Sequence, residues 1–447
     1  MEIQEIYNKF LLSKGLTTDS RKVSKGQMFL ALKGENFDGN LYAEKALEAG
    51  ASYAIVNNNS EISKIEDPRI IAVDDTLHTL WELARHHRSM IFVDGKPITI
   101  IGLTGTNGKT TTKELIREVL SVKYKVTATE GNLNNNIGVP LTLLNIDKET
   151  ELAVVEMGAS HPGDIKELVA IALPNYGLIT NVGKAHLLGF GSFEGVKSTK
   201  GELYDYIQRT GDKAFVNVDN PHLVQMASER PDLITIPYGL NAQGAQILEA
   251  SQEHPFLRIL IPGAKANVIV ETHLVGSYNA DNVMAAIAVG KEFGISLEEA
   301  VQAISYYEPK NNRSQMVHTK HNTVIIDAYN ANPTSMDAAL VNFASIKASS
   351  KLVLLGDMLE LGEESIAEHM KIIQKAIDLE LEEICLVGYE FEKALEKIDK
   401  TAKIDRIKWF EDSEKLSGYL KEKSPSGKTI LVKGSRGIKM ENVMSWI

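Results

Sequence analysis

Thr104-Gly105-Thr106-Asn107-Gly108-Lys109-Thr110-Thr111 is the stretch of this 447-residue sequence whose residue types promise the most chemistry. Its glycines let successive backbone N–H groups turn toward an anion, and a helix beginning directly after it adds a positive dipole end. Lys109 brings a full charge to a phosphoryl group in transfer, and the Thr110 hydroxyl suits Mg²⁺. The usual phosphate-loop spacing asks for glycine five residues before Gly108, where Leu103 stands instead. A glycine turn carrying a lysine by chance is the competing reading. Gly-Lys-Thr-Thr set between an apolar strand and an amphipathic helix favours the nucleotide, with Lys109 on a solvent-facing loop.

Two further positions could serve that loop. Leu152-Ala153-Val154-Val155-Glu156 is an apolar run ending in a carboxylate, the place where Mg²⁺ or its water is held beside a phosphate loop. The same run is also compatible with a plain exposed strand end. His186 follows another strand in Asn181-Val182-Gly183-Lys184-Ala185-His186, so it reads as a metal ligand or as a structural histidine. Lys200, by residue type alone, is a surface lysine. Cys385 is the sole cysteine, and inside Ile384-Cys385-Leu386-Val387 it reads as a small buried hydrophobe rather than a nucleophile.

The elements that must position these groups are legible as alternating short apolar runs and amphipathic stretches. Strands are expected at Met28 to Leu32, Tyr53 to Val56, Ile70 to Val73, Ile98 to Leu103, Leu152 to Val155, Gly177 to Asn181 and Lys213 to Val218. A later series falls at Thr323 to Ile326, Lys351 to Leu355, Glu383 to Val387 and Thr429 to Val432. Helical patterns lie between them, among them Ala43 to Ala49, Thr76 to Met90, Ser335 to Ile346, Ser365 to Leu379 and Ser413 to Lys421. Strands separated by helices predict an α/β protein with parallel sheets. Asp94-Gly95-Lys96-Pro97 breaks the pattern. Three domains are therefore expected: a small α/β domain at 1–96, a phosphate-loop ATPase domain at 97–310 and a Rossmann-like domain at 311–447.

Composition excludes several classes. A net charge of −11 argues against a general nucleic-acid binder, and no apolar run approaches a membrane span or signal peptide. One cysteine suits a reducing compartment, so a cytoplasmic protein is expected.

Together these segments resemble the Mur ligase family over almost the whole chain. The family's ATP loop looks like Gly105, Thr106, Asn107, Gly108, Lys109, Thr110 and Thr111 as they stand here, including the missing upstream glycine. Asn132-Leu133-Asn134-Asn135-Asn136-Ile137-Gly138-Val139-Pro140 is similar to its substrate-side loop. The resemblance implies that Thr110, Glu156, His186 and a carbamylated Lys200 hold Mg²⁺. It further implies that Asn282, in Ser277-Tyr278-Asn279-Ala280-Asp281-Asn282, contacts adenine, although Tyr278 stands where the family often has histidine. Arg313, Asp327 and Asn330 would face the nucleotide, with Lys109, Lys200 and Arg313 as the catalytic set.

Asp19, Ser20, Arg21, Asn36, Asp38 and Gly39 look like the family's pocket for a UDP-muramoyl end, with Asn134 and Asn135 as further substrate contacts. Residue types alone would make Asp19-Ser20-Arg21 a capped turn. Leu355-Gly356-Asp357-Met358-Leu359-Glu360-Leu361-Gly362 with His369, Asn330-Ala331-Asn332-Pro333 and Val432-Lys433-Gly434-Ser435-Arg436-Gly437 resemble the dipeptide-adding branch. The implied activity is ATP-dependent addition of D-alanyl-D-alanine to UDP-N-acetylmuramoyl-tripeptide in peptidoglycan synthesis, by a monomer without nucleic-acid or membrane partners. The Asp-Asn-Pro-Arg motif of diaminopimelate-adding relatives is missing. Folylpolyglutamate synthetases generally lack a preceding domain like 1–96, and no Asn-Lys-x-Asp base-reading motif suggests a guanine switch.

Overall fold

The computed structural model describes residues 2–251, 254–264, 266–310, 313–398 and 404–447. Met1 and Asn311, expected as the first residues of the first and third domains, lie outside them. Three parallel or mostly parallel sheets succeed one another along the chain, each flanked by helices, as the alternating pattern requires. The first runs Leu16–Thr17, Met28–Leu30, Tyr53–Asn57, Ile70–Val73 in space, all parallel.

The second has six parallel strands in the order Val126–Ala128, Leu152–Glu156, Thr99–Thr104, Tyr176–Ile179, Lys213–Asn217, Ile234–Tyr238. Thr99–Thr104 comes early in the chain yet sits inside the sheet, with later strands on both sides. Winding therefore reverses at Thr104, and the crevice at that reversal is where ligands of open α/β sheets bind. The third sheet places Thr429–Lys433 between Thr323–Asp327 and Lys351–Gly356, continues through Glu383–Val387 to Ile407–Phe410, and carries one antiparallel edge strand, Gln315–His318.

Every strand expected from the sequence is present within a residue or two. Both edge strands of the second sheet went unread: Val126–Ala128 is short, and Ile234–Tyr238 carries Pro237, which only an edge tolerates. A three-stranded antiparallel sheet, Gln246–Leu248, Arg258–Ile261 and Val268–Glu271, also lies outside the expected pattern. The break at Asp94-Gly95-Lys96-Pro97 is a hairpin turn, with both central residues left-handed at φ +50° and +76°.

One apolar cluster joins the first sheet to the second, running from Ile6, Phe10 and Leu83 to Leu143, Leu168 and Leu203. Polar contacts cross the same seam: Trp81 Nε1 donates to the Asn136 carbonyl at 2.6 Å, and the His87 Nε2 edge meets the Ile146 carbonyl at 2.7 Å. The third sheet's core gathers around Leu340, Phe343, Leu355 and Phe391 and extends to Leu187, Phe190 and Val196 from beside the second sheet.

Candidate functional site

The phosphate loop begins where Thr99–Thr104 ends, and its shape is forced by its neighbours. Gly105 has φ +145°, and a Cβ there would sit 1.9 Å from Thr180 Oγ1. Gly108 has φ +79°, and a Cβ would sit 2.5 Å from Asn282 Oδ1. Only glycine fits either position. Asn181 then clamps the loop: its Oδ1 accepts Asn107 N–H at 2.9 Å, its Nδ2 donates to the Asn107 carbonyl at 3.0 Å, and its own carbonyl accepts Thr106 N–H at 3.0 Å.

Lys109 corrects one expectation. It is the first residue of the helix Lys109–Leu120, half-buried rather than on a solvent-facing loop, and its ammonium donates to the Gly105 and Thr106 carbonyls at 2.8 and 3.1 Å. Burial lowers its pKa, against the pull of Glu156. The helix after the glycine turn draws the lysine back over the loop it serves.

A cavity of about 780 Å³ opens at this reversal point. Thr106 to Thr111, Asn134, Asn135, Glu156 and His186 line it from the second sheet's domain, while Arg313, Asp327, Asn330 and Asn332 line it from the third. Asn282 lines it too. It accepts Thr112 Oγ1–H at 2.9 Å and donates to Asn279 Oδ1 at 2.9 Å, which fixes the amide above Gly108. Tyr278 meets Ser314 Oγ through its hydroxyl at 3.0 Å, and burial raises its pKa. The Arg313 guanidinium stacks 3.6 Å from the centroid of Tyr329. Asp327 pairs with the buried Lys433, and Asn330 Oδ1 accepts Ala331 N–H at 2.9 Å.

Glu156 is no exposed strand end. It is 1% exposed; Oε1 accepts from Asn134 Nδ2 at 2.8 Å, while Oε2 is buried with no hydrogen-bond partner among the described residues. A buried carboxylate oxygen without a donor is costly, and a hard cation is the chemistry that satisfies it. Thr110 lines the same cavity. His186, left-handed at φ +50°, turns its Nδ1 to Glu360 of the third domain; burial lowers its pKa, with Glu360 opposing. No ready-made cluster of three His, Cys, Asp or Glu ligands exists among the described residues. The donor set fits Mg²⁺ through Glu156 and Thr110, and completing it requires oxygens from elsewhere.

Lys200 is not a surface residue. It is 2% exposed on the helix Phe193–Thr210, with its ammonium 5.4 Å from the centroid of Phe190, and it does not itself line the cavity. Burial first and Lys109 second push its pKa well below the usual lysine value.

The first domain's candidates stand apart from this cavity. Asp19 binds Arg21 through two hydrogen bonds at 2.8 and 2.9 Å, and Arg21 is 85% exposed. Ser20 belongs to the same turn. Asp38 accepts from the Asn40 backbone and side chain at 2.9 and 2.7 Å, and Gly39 lies so close to Leu32 that a Cβ would meet its carbonyl at 2.6 Å. Asn36 is exposed in the turn between the antiparallel strands Lys33–Gly34 and Phe37–Asp38, next to the exposed stacked rings of Phe37 and Tyr42. Asn135 Oδ1 accepts Gly138 N–H at 2.9 Å, so it shapes the substrate-side loop as well as lining the cavity.

Asn332 and Asn181 escaped selection as site residues. Asn332 caps the helix Pro333–Ser345 through Ser335 N–H, and its Nδ2 donates to Asn107 Oδ1 at 2.7 Å, tying the third domain to the phosphate loop. The signal was visible, because an Asn-Pro pair opening a helix fixes the asparagine's direction.

A phosphate loop at a sheet's reversal point, a cavity-facing carboxylate, and a second α/β domain reaching the loop define a nucleotide-using α/β enzyme whose reactants meet between domains. Family profiles described as Mur ligase family catalytic domain, Mur ligase middle domain and Mur ligase glutamate ligase domain match residues 13–88, 103–290 and 312–436. A Bacillus subtilis protein named UDP-N-acetylmuramoyl-tripeptide--D-alanyl-D-alanine ligase is 36% identical over 437 residues, covering 96% of this chain and 92% of that protein. A crystal structure of MurF from Acinetobacter baumannii aligns with a TM-score of 0.86 at 29% identity, over 99% of this chain and 97% of that one. MurF from Thermotoga maritima in complex with ADP aligns at 0.83 and 27%, over 98% and 97%. The chain belongs to the Mur ligase family.

Proposed function

We propose that this chain joins D-alanyl-D-alanine to the terminal carboxylate of UDP-N-acetylmuramoyl-tripeptide, with ATP converted to ADP and phosphate. Glu156 lines the same cavity as the phosphate loop, and its buried Oε2, without a hydrogen-bond partner among the described residues, is the observation that carries the phosphoryl-transfer chemistry. The 36% identity across 96% of the chain supports the choice of substrates.

A carboxylate is a poor electrophile with a poor leaving group, so the peptide's terminal carboxylate is first phosphorylated to an acyl phosphate. The dipeptide's free amine then attacks that carbonyl carbon, and phosphate leaves from the tetrahedral adduct. Lys109 and the loop N–H groups hold and neutralise the transferring phosphoryl group, and Arg313 adds charge from the third domain. Asn282, Asp327 and Asn330 orient the nucleotide. Thr110, Glu156, His186 and Lys200 as a carbamate would hold Mg²⁺, which supplies neutralisation of phosphate charge. Asn134 and Asn135 face the peptide end, and Asp19, Ser20, Arg21, Asn36, Asp38 and Gly39 take the UDP-muramoyl end.

A monomer suffices in this reading, because one chain builds the whole cavity. The lone Cys385, whose thiol burial pushes up to about 12, suits a cytoplasmic setting. No helix among the described residues is long and apolar enough to cross a membrane. The test is ADP release with product mass. Turnover must require both the UDP-tripeptide and the dipeptide, and release that ignores the dipeptide rejects the proposal.

A further inference from the structure

The segment Leu355 to Gly362, with His369, contributes nothing to the lining of the cavity, although its composition is among the most distinctive of the third domain. Three of its residues, Asp357, Leu359 and His369, hold one loop. Asp357, 3% exposed, accepts the backbone N–H groups of Glu390 and Phe391, each at 2.9 Å. His369 is fully buried: its Nε2 accepts Met358 N–H at 3.0 Å, which leaves the proton on Nδ1 to donate to the Ser365 carbonyl at 2.7 Å. Leu359 N–H donates to Ser435 Oγ at 2.9 Å. The loop after the strand Lys351–Gly356 is therefore braced from three sides.

What the braced loop presents is a set of contacts to one short stretch of the central domain. The Glu360 carboxylate meets His186, and its carbonyl accepts Leu188 N–H at 3.2 Å. Met358 and Leu361 share an apolar cluster with Leu187 and Phe190. The helix Ser365–Asp378, whose His369 steadies the loop, also carries Glu368, and the turn before it carries Glu364. Both carboxylates take a hydrogen bond from the Lys184 ammonium at 2.9 Å.

We infer that this module is the closure clasp of the third domain: Glu360, Glu364 and Glu368 are positioning residues that seat the domain on Lys184 to Phe190 and thereby set the direction of His186 in the cavity. The inference rests on the proposed ligation site. It deepens that reading by assigning the motif to domain placement.

The test uses the full-length enzyme with spin labels at Val224→Cys and Val341→Cys, exposed positions in the central and third domains; Cys385 is buried and takes no label. Lys184→Glu sets a third carboxylate against Glu364 and Glu368. It should broaden the inter-label distance distribution, raise KM for the dipeptide and lower kcat by roughly 10- to 100-fold, while UDP-tripeptide affinity stays at the wild-type value. Lys184→Glu combined with Glu368→Lys should narrow the distances again and recover most of the lost turnover. Lys184→Met keeps the test open if Glu368→Lys fails to fold, because Lys184 is partly exposed and its loss should broaden the distances alone. Unchanged distances in Lys184→Glu and Lys184→Met overturn the clasp, and so does lost turnover that charge reversal cannot rescue in a folded protein. A wild-type enzyme without dipeptide-dependent ADP release would overturn the ligation reading, whereas the distances would still report on the clasp.

Discussion

Lys109 is held over the phosphate loop by the Gly105 and Thr106 carbonyls, which keeps its charge beside the loop N–H groups where a phosphoryl group would be transferred. Lys109→Ala should lower kcat by roughly 10²–10³ with the fold kept, since the lysine's ammonium bonds two loop carbonyls that water can reach through the cavity. Near-normal turnover in steady-state ADP release would remove the lysine from the chemistry. Lys200 makes a sharper case, because its residue type suggested a surface position and the structure buries it. A depressed pKa would supply the neutral amine needed to add to CO₂, giving a carbamate and releasing a proton. Such a carbamate would carry two hard oxygens, the further donors that Glu156 and Thr110 need to complete a Mg²⁺ site. Protein kept in bicarbonate and Mg²⁺ should gain the mass of one CO₂ at Lys200. Lys200→Ala should be folded and nearly inactive, with short carboxylic acids restoring part of the rate. An unmodified ammonium in a fully active enzyme would exclude this role.

At the scale of elements, the central strands were legible because a strand buried on both faces reads as an unbroken apolar run, as Leu152–Glu156 and Lys351–Gly356 do. Edge strands such as Ile234–Tyr238 face solvent along part of their length, so their pattern is diluted. The loop glycines were legible as a phosphate cradle, but what makes them obligatory is Thr180 and Asn282, which arrive from distant elements. Nor could spacing show that His186 faces Glu360, a contact made only when two domains meet. Asp357 gives the braced loop a pH signature. Burial raises its pKa to about 6 from an ordinary 3.8, against two backbone N–H donors that favour the carboxylate. Between about pH 4 and pH 6 the native state therefore holds a proton that the unfolded chain has released. Third-domain stability should fall as pH rises through that window, by at most about 3 kcal/mol. Urea unfolding at several pH values should show this slope, and Asp357→Asn should flatten it; an unchanged slope would assign the proton to another group.

At the scale of the whole molecule, the three proposed domains at 1–96, 97–310 and 311–447 would divide the reactants among them in the proposed ligation. The first two share a continuous apolar cluster, so the first sheet and the phosphate loop are held at a fixed relation. The third meets the central domain through the Asn107–Asn332 amide pair and the contacts of Lys184 to Phe190, which suits the part that brings the last reactant. Distance from the chemistry then separates binding effects from rate effects. Arg21 is 85% exposed and oriented by Asp19, whose carboxyl the guanidinium holds down at about 2. An exposed pair of this kind adds little to stability, because solvent screens it and both side chains must be ordered. Its bidentate geometry nevertheless leaves one edge of the guanidinium fixed and free to meet a diphosphate or sugar. Arg21→Ala should therefore leave the melting temperature within error and raise KM for the UDP-tripeptide roughly ten-fold or more, while KM for ATP and kcat at saturation stay near wild type. Initial-rate measurements varying one substrate at a time distinguish the outcomes. Equal increases in both KM values would mean that the first domain does not hold the UDP-muramoyl end.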